Sequence, residues 1–485
     1  MTAPTQQPDP PFTAQPFHVM TKPIGPICNL DCTYCYYLHK EDLYPKGNKW
    51  KMGDDCLESY IRQYIEAQPP GTGEVTFAWQ GGEPTLMGLE FFQRCVDIQQ
   101  KYARRGMQIA NTLQTNGVLL DDDWCRFFLK HRFLIGLSID GPAEFHDAYR
   151  VDHQGQGSHA RVIAALRKLK KFGVEFNALV VVNRRNGDHG ARIYRYLRDA
   201  GCQFMQFIPI VERSGVGRHA EPAGTDLPAA TGAGTPFSEA ARAVSSRSVL
   251  PEQFGAFLCD VFDEWVRQDV GRVFVQIFDQ ALSAWVGVEP SLCVFRRTCG
   301  RALAMEHNGD VYSCDHFVEP DYLLGNLNVV PLEELVNSGR QQQFGDAKLN
   351  TLPQYCLDCE VRHACNGECP KNRFLQTPAG EPGLNFLCAG YRKFFNHIDA
   401  VMTRMAALVR SGRPAALVMN DAGESAAAAP PEAQKASAVS ARASRNMMDA
   451  AAPAVSPARF ANTQRNDRCP CGSGRKYKAC CLKRS

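Results

Sequence analysis

Three cysteines, Cys28, Cys32 and Cys35, stand in a CxxxCxxC spacing within PIGPICNLDCTYCYYLHK, directly after a run that reads as a first strand. Three thiolates so close can hold a cubane [4Fe–4S] cluster, and its fourth iron is then left without a protein ligand, open to chemistry. A zinc ion with a distant fourth ligand, or three uncoordinated thiols, fits the same spacing. Eight further cysteines follow: Cys293, Cys299 and Cys314, then Cys356, Cys359, Cys365 and Cys369 as CxxCx5CxxxC, then Cys388. Eight thiolates are what two fully ligated [4Fe–4S] clusters require, although zinc knuckles would use four thiolates per metal equally well. At the end of the chain Cys469, Cys471, Cys480 and Cys481 form CxC-x8-CC around a Gly-Ser-Gly turn, a set that suits one tetrahedral zinc. The remaining five of the 20 cysteines, Cys56, Cys95, Cys125, Cys202 and Cys259, are scattered singly and read as small core residues.

The first set needs a scaffold, and the sequence supplies a repeating one. VTFAW (75–79), IANTLQT (109–115), FLIGLSI (133–139), FNALVVV (176–182) and QFMQFIP (203–209) are short apolar runs separated by helix-length stretches. Leu57, Tyr60, Ile61, Tyr64 and Ile65 lie on one face of a predicted helix, and RVIAALRKLKKFG (161–173) ends in a glycine stop. Strand and helix in alternation predict an α/β fold with a parallel sheet, whose chemistry gathers at the carboxyl ends of the strands. Polar turns stand at those ends: Gln80-Gly81-Gly82-Glu83-Pro84, Gln114-Thr115-Asn116-Gly117, and Ser138-Ile139-Asp140-Gly141-Pro142. Singly, each is an ordinary strand-terminating turn.

Over 485 residues, 54 Lys and Arg against 51 Asp and Glu leave a formal charge of +3, which gives no global reason to expect nucleic acid or an anionic membrane as partner. The composition, 44% hydrophobic and 22% charged, is that of a globular protein with two or three cores. No apolar run is long enough for a membrane span, and the first residues lack the pattern of a secretory leader, so a cytoplasmic protein is expected. Residues 1–15 read as disordered, 213–248 as a mobile Gly/Ala/Pro-rich insertion, and 412–464 as a disordered Ala/Pro/Ser linker. Residues 462–485 carry a net charge of +6, so the basic excess sits in the terminal cysteine module.

The three-cysteine loop, with Tyr34 before its last cysteine, resembles the CxxxCxφC motif of the radical S-adenosylmethionine (SAM) superfamily, and the ordered GGEP, QTNG and SIDGP turns strengthen the likeness. The middle cysteines resemble a SPASM domain, and the last four a SEC-C module. Within the superfamily, TKPIGPICNLDCTYCYYL, FAWQGGEPTL, LQTNG, GLSIDGP with HDAYR, FMQFIPIVE, CDHFV and NFLCAGYRKFF resemble the anaerobic sulfatase-maturating enzymes over about residues 16–400. The resemblance implies a partial (β/α)6 TIM-like barrel over 16–248, a SPASM domain over 249–411 and a zinc knuckle over 465–485. It implies SAM and three [4Fe–4S] clusters, with the zinc as a further metal. Tyr34, Gly81, Gly82, Glu83, Gln114, Asn116, Ser138, Asp140 and Arg161 are then SAM contacts, Arg161 as a carboxylate clamp. Cys293, Cys299, Cys314 and Cys369 fall to a first auxiliary cluster, and Cys356, Cys359, Cys365 and Cys388 to a second.

The implied reaction oxidises a Ser or Cys side chain of a sulfatase to formylglycine. A deoxyadenosyl radical takes a hydrogen atom from Cβ, Asp315 takes a proton, and the auxiliary clusters take an electron. Burial is expected to raise the Asp315 pKa toward a useful range, and Tyr37 is implied to line the substrate site. The implied partners are an unfolded or nascent sulfatase, an electron donor such as flavodoxin or ferredoxin, and a secretion or chaperone component on the basic tail. Two other readings compete: a radical maturase that crosslinks a ribosomally made peptide, and a zinc-rich adaptor protein, which would have no use for a SAM pocket.

Overall fold

In the computed structural model, residues 11–213 and 243–422 are described, apart from Lys46, Asn48 and Lys49. Seven parallel strands follow in chain order: β1 (His18–Lys22), β2 (Glu74–Trp79), β3 (Gln108–Thr115), β4 (Phe133–Ser138), β5 (Phe176–Val182), β6 (Phe204–Pro209) and β7 (Phe274–Val275). Helices α1 (Asp54–Glu66), α2 (Leu89–Tyr102), α3 (Asp122–His131), α4 (His159–Phe172), α5 (Gly190–Ala200) and α6 (Pro251–Gln268) alternate with them, which is the expected six-unit partial barrel. The periodicity explains the packing. All five apolar positions named on α1 are buried, every residue of β4 is buried, and α4 stops at Gly173, whose φ of 70° suits a residue without Cβ.

The sheet does not end where sequence composition placed a domain boundary at 248/249. β7 pairs with β6, and on the opposite edge β8 (Ala302–Glu306) runs parallel to β1. β9 (Asp310–Tyr312) and β10 (Leu323–Asn326) extend that edge antiparallel, giving one ten-stranded sheet. The β1–β8 register sets Lys22 opposite Glu306, so the cysteine-rich region is hydrogen-bonded into the barrel sheet beside its first strand. Then α7 (Gln276–Val286), α8 (Gly339–Asn350) and α9 (Cys388–Arg410) pack the rest; Gly255 of α6 and Gly390 of α9 bring two backbones so close that a Cβ on Gly255 would lie 2.7 Å from the Gly390 Cα.

Three segments expected to lack structure begin or end in it. Phe12–Ala14 forms a 3-10 turn, with the Arg301 guanidinium 4.7 Å from the Phe12 ring. Arg213 bridges to Val244, while Ser245 and Ser248 are buried against Glu212, so both ends of the insertion are tied together. Residues 415–422 continue as a 3-10 turn and a short helix, with Val418 buried. The rest of these segments, and the terminal cysteine module, lie outside the described residues.

Candidate active site

The cysteine loop follows β1 and folds over the barrel mouth. Leu30, Cys32 and Tyr34 pack as a small buried cluster with Val118, Tyr149, Val181 and Ile210 around them. The Leu30 N–H points at Cys28 Sγ at 3.4 Å, and Asn116 Nδ2 reaches the same sulfur at 3.7 Å. Burial pushes the Cys28 and Cys32 thiols up to about 12, and the three sulfurs repel one another as thiolates. Thiolates in such a place need a cationic partner, which iron supplies. Among the described residues no three metal-ligating side chains close on a point that a single ion would fill.

Two strand-end carboxylates lie beside this loop, and Asp140 bonds to it directly through Tyr34. Glu83, 1% exposed, accepts from Thr85 N (3.1 Å), Thr85 Oγ1 (2.6 Å) and Thr115 Oγ1 (2.8 Å) on one oxygen and from Asn116 N (2.8 Å) on the other. Burial still raises its pKa against those bonds. Asp140, wholly buried, accepts from Tyr34 Oη (2.5 Å), from Arg150 Nε (2.9 Å) and Nη2 (3.1 Å), and from Val181 N (2.9 Å). The Arg150 guanidinium lies 5.4 Å from the Tyr34 ring centre, so cation, ring and carboxylate close on one another. Gly81 and Gly82 let β2 pass against the loop: Gly81 has φ +117°, and a Cβ on Gly82 would lie 2.0 Å from the Ile27 carbonyl oxygen. Gln114 and Ser138 occupy the ends of β3 and β4. Arg161 stands apart, on α4, in a half-exposed ion pair with Asp152 at 2.8 Å. Arg150, which sequence reasoning did not single out although it closes the HDAYR motif, is the buried arginine at this end.

Asp315 follows Cys314 in a 3-10 turn after β9. Lys22, 1% exposed, forms an ion pair with its Oδ1, and Tyr36 Oη donates to its Oδ2 at 2.7 Å. Burial pushes the Asp315 pKa up, but Lys22, His316 and Tyr36 together outweigh it and leave the carboxyl below its ordinary range. The expected rise is therefore reversed, because a buried ammonium from β1 was not visible as a neighbour. Tyr37, the expected lining residue, is 2% exposed, with its ring 3.9 Å from Lys22 Nζ and its hydroxyl donating to Glu306 at 2.5 Å. Its neighbour Tyr36 is the open one: 42% exposed, yet so deep among protein atoms that burial pushes its hydroxyl well above the ordinary value. His316 combines the same features, an exposed ring whose pKa burial lowers to about 4. Tyr36, Asp315 and His316 therefore keep accessible surface side by side next to Cys314.

The other eight cysteines fall into two groups. Cys356, Cys359, Cys365 and Cys388 line one small hollow with Tyr355, Arg362, Tyr391 and Arg392. Cys293 lies close enough to Cys299, Cys314 and Cys369 for charge on one to raise the pKa of each of the others. Their loops are pinned by Lys348, wholly buried, which donates to the carbonyls of Cys293 (2.6 Å), Val294 (2.8 Å) and Arg296 (2.5 Å). Of the five single cysteines, Cys95, Cys125, Cys202 and Cys259 sit in the main core and Cys56 packs against it.

Comparison with known proteins agrees with this geometry. Residues 23–197 match the Radical SAM superfamily, 293–360 an iron-sulfur cluster-binding domain (SPASM), and 465–483 the SEC-C motif. The serine-type anaerobic sulfatase-maturating enzyme of Bacteroides thetaiotaomicron is 46% identical over 395 residues, 81% of this chain and 92% of that protein. The chain belongs to the anaerobic sulfatase-maturating enzyme family. A serine-type member from Klebsiella aerogenes is 36% identical, covering 80% of this chain and 87% of that one. The cysteine-type enzyme of Clostridium perfringens (strain 13 / Type A) is 31% identical, covering 79% and 96%. Among solved structures, native anSMEcpe with bound AdoMet and Cp18Cys peptide matches with a TM-score of 0.69 at 30% identity, over 81% of this chain and 99% of that one. As a family member the chain is a radical SAM enzyme with a partial barrel and a SPASM domain. Among the described residues no helix is long and apolar enough to cross a membrane.

Proposed function

We propose that this enzyme oxidises the side chain of a serine, within a sulfatase polypeptide, to formylglycine. The observation that carries the reading is the accessible Asp315 beside Cys314, bonded to Tyr36 and joined through Lys22 and β1 to the three-cysteine loop. The higher identities to serine-type relatives, 46% and 36% against 31% for a cysteine type, support serine over cysteine as the client residue.

Cys28, Cys32 and Cys35 would hold the cluster that binds SAM, and SAM so bound supplies the 5′-deoxyadenosyl radical that abstracts hydrogen from the substrate carbon. Gly81 and Gly82 give the backbone of that pocket, with Gln114, Asn116 and Ser138 around it. Tyr34 and Arg150 bond to Asp140, so these three fix the cysteine loop, while Glu83 ties Thr85, Thr115 and Asn116 together at the strand ends beside it. Arg161 keeps its assignment as a carboxylate clamp if it leaves Asp152. Asp315 accepts the proton of the substrate hydroxyl, held as a carboxylate by Lys22 and aimed by Tyr36. Cys293, Cys299, Cys314 and Cys369 would hold the first auxiliary cluster, and Cys356, Cys359, Cys365 and Cys388, which share one hollow, the second. Cys469, Cys471, Cys480 and Cys481 would hold a zinc, and the basic tail around them would dock on an acidic partner.

The test is anaerobic incubation of reconstituted full-length protein with SAM, a low-potential reductant and matched sulfatase peptides bearing Ser or Cys. Loss of two hydrogens from the Ser peptide with deoxyadenosine formed is expected; an unchanged Ser peptide beside an oxidised Cys peptide would reverse the client assignment. A crosslink within the peptide would favour the peptide-maturase reading.

A further inference from the structure

His316 stands between Asp315 and the first set of auxiliary cysteines. Its Nδ1 lies 3.3 Å from Cys369 Sγ, and the residue is exposed. A cysteine that ligates iron is a thiolate and has no proton to give, so the shared hydrogen must be carried by Nδ1. In the second cysteine set, Cys359 Sγ has the Glu360 carboxylate 3.7 Å away, and that carboxylate is itself paired with Arg392 at 2.7 Å. A hydrogen bond to a cluster sulfur withdraws negative charge and favours the reduced cluster.

We propose that His316 is a positioning residue that donates its Nδ1 hydrogen to Cys369 Sγ and thereby raises the reduction potential of the cluster on Cys293, Cys299, Cys314 and Cys369. The effect rests on the assignment of those four cysteines to one cluster, given above.

The experiment is a spectroscopically monitored redox titration of full-length protein in which Cys28, Cys32 and Cys35 are replaced by Ala, so that only the auxiliary clusters report. His316→Leu is expected to shift one of the two reduction waves to lower potential and leave the other in place. His316→Asn, whose amide N–H can stand near the position of Nδ1, is expected to keep the original potential. No shift in His316→Leu, or an equal shift in both variants, would overturn the proposal. If His316→Leu fails to retain iron, the Asn variant decides alone: an unchanged wave supports the hydrogen bond and a lowered one overturns it. An iron content short of two four-iron clusters in the parent protein would instead overturn the cluster assignment, and the proposal with it.

Discussion

Asp140 and Asp315 are both aspartates set just beyond a strand, next to cysteines, and they are treated in opposite ways. Asp140 accepts four hydrogen bonds and is wholly buried, so nothing is left for a ligand. Asp315 is held by Lys22 and one tyrosine and keeps 16% of its side chain accessible. A saturated buried carboxylate fixes geometry; one that is charged, oriented and still accessible can exchange a proton. On the proposed function, Asp140 holds the cysteine loop still and Asp315 reacts.

That contrast can be broken most severely at the cysteines. Cys32→Ala is expected to reduce deoxyadenosine formation to background, whereas Cys369→Ala retains SAM cleavage and loses aldehyde, both read by chromatography of anaerobic reactions. If both variants lost deoxyadenosine alike, the two regions would not be functionally separable. Next, Asp140→Ala leaves Arg150 buried without its partner, at a cost of about 3–5 kcal/mol. Urea unfolding should show that loss, with deoxyadenosine formation falling as the loop loosens. A smaller effect is expected of Tyr36→Phe, which removes one hydrogen bond to a charged acceptor, worth about 1.5–3 kcal/mol. Its signature is a lower rate of formylglycine formation with deoxyadenosine still produced.

A last test concerns a third aspartate, far from both sites, whose carboxyl bears on stability alone. Asp279 in the first turn of α7 has its pKa raised by burial to about 7, against an ordinary value of about 3.9. A raised folded-state pKa means its contribution is full below about 4 and is lost as pH rises through about 7. Urea midpoints of the wild type should therefore decline across that window more steeply than those of Asp279→Asn.

Local signals were legible in the sequence. The strand runs matched β2 to β6 to within a residue or so at either end, the α1 face was buried as its spacing required, and the five singly scattered cysteines lie in or against the core. What the sequence concealed were partnerships made by the sheet. Lys22 meets Asp315 only because β8 runs beside β1, almost three hundred residues away in the chain, and that contact turned the expected pKa rise into a fall. Tyr36 and Tyr37 are adjacent, so no period could tell that one faces Asp315 and the other Glu306. Arg150 was hidden for the same reason: its worth depends on Tyr34 and Asp140, from two different parts of the chain.

The central claim is that Asp315 carries the proton step while the three-cysteine loop carries radical formation. It is tested most directly by Asp315→Asn, incubated anaerobically with SAM, reductant and a Ser-bearing sulfatase peptide, with deoxyadenosine and formylglycine measured in the same reaction. The account predicts deoxyadenosine near the wild-type level and formylglycine reduced by about 10²–10⁴-fold, the usual worth of a general base. Formylglycine at the wild-type rate would contradict it.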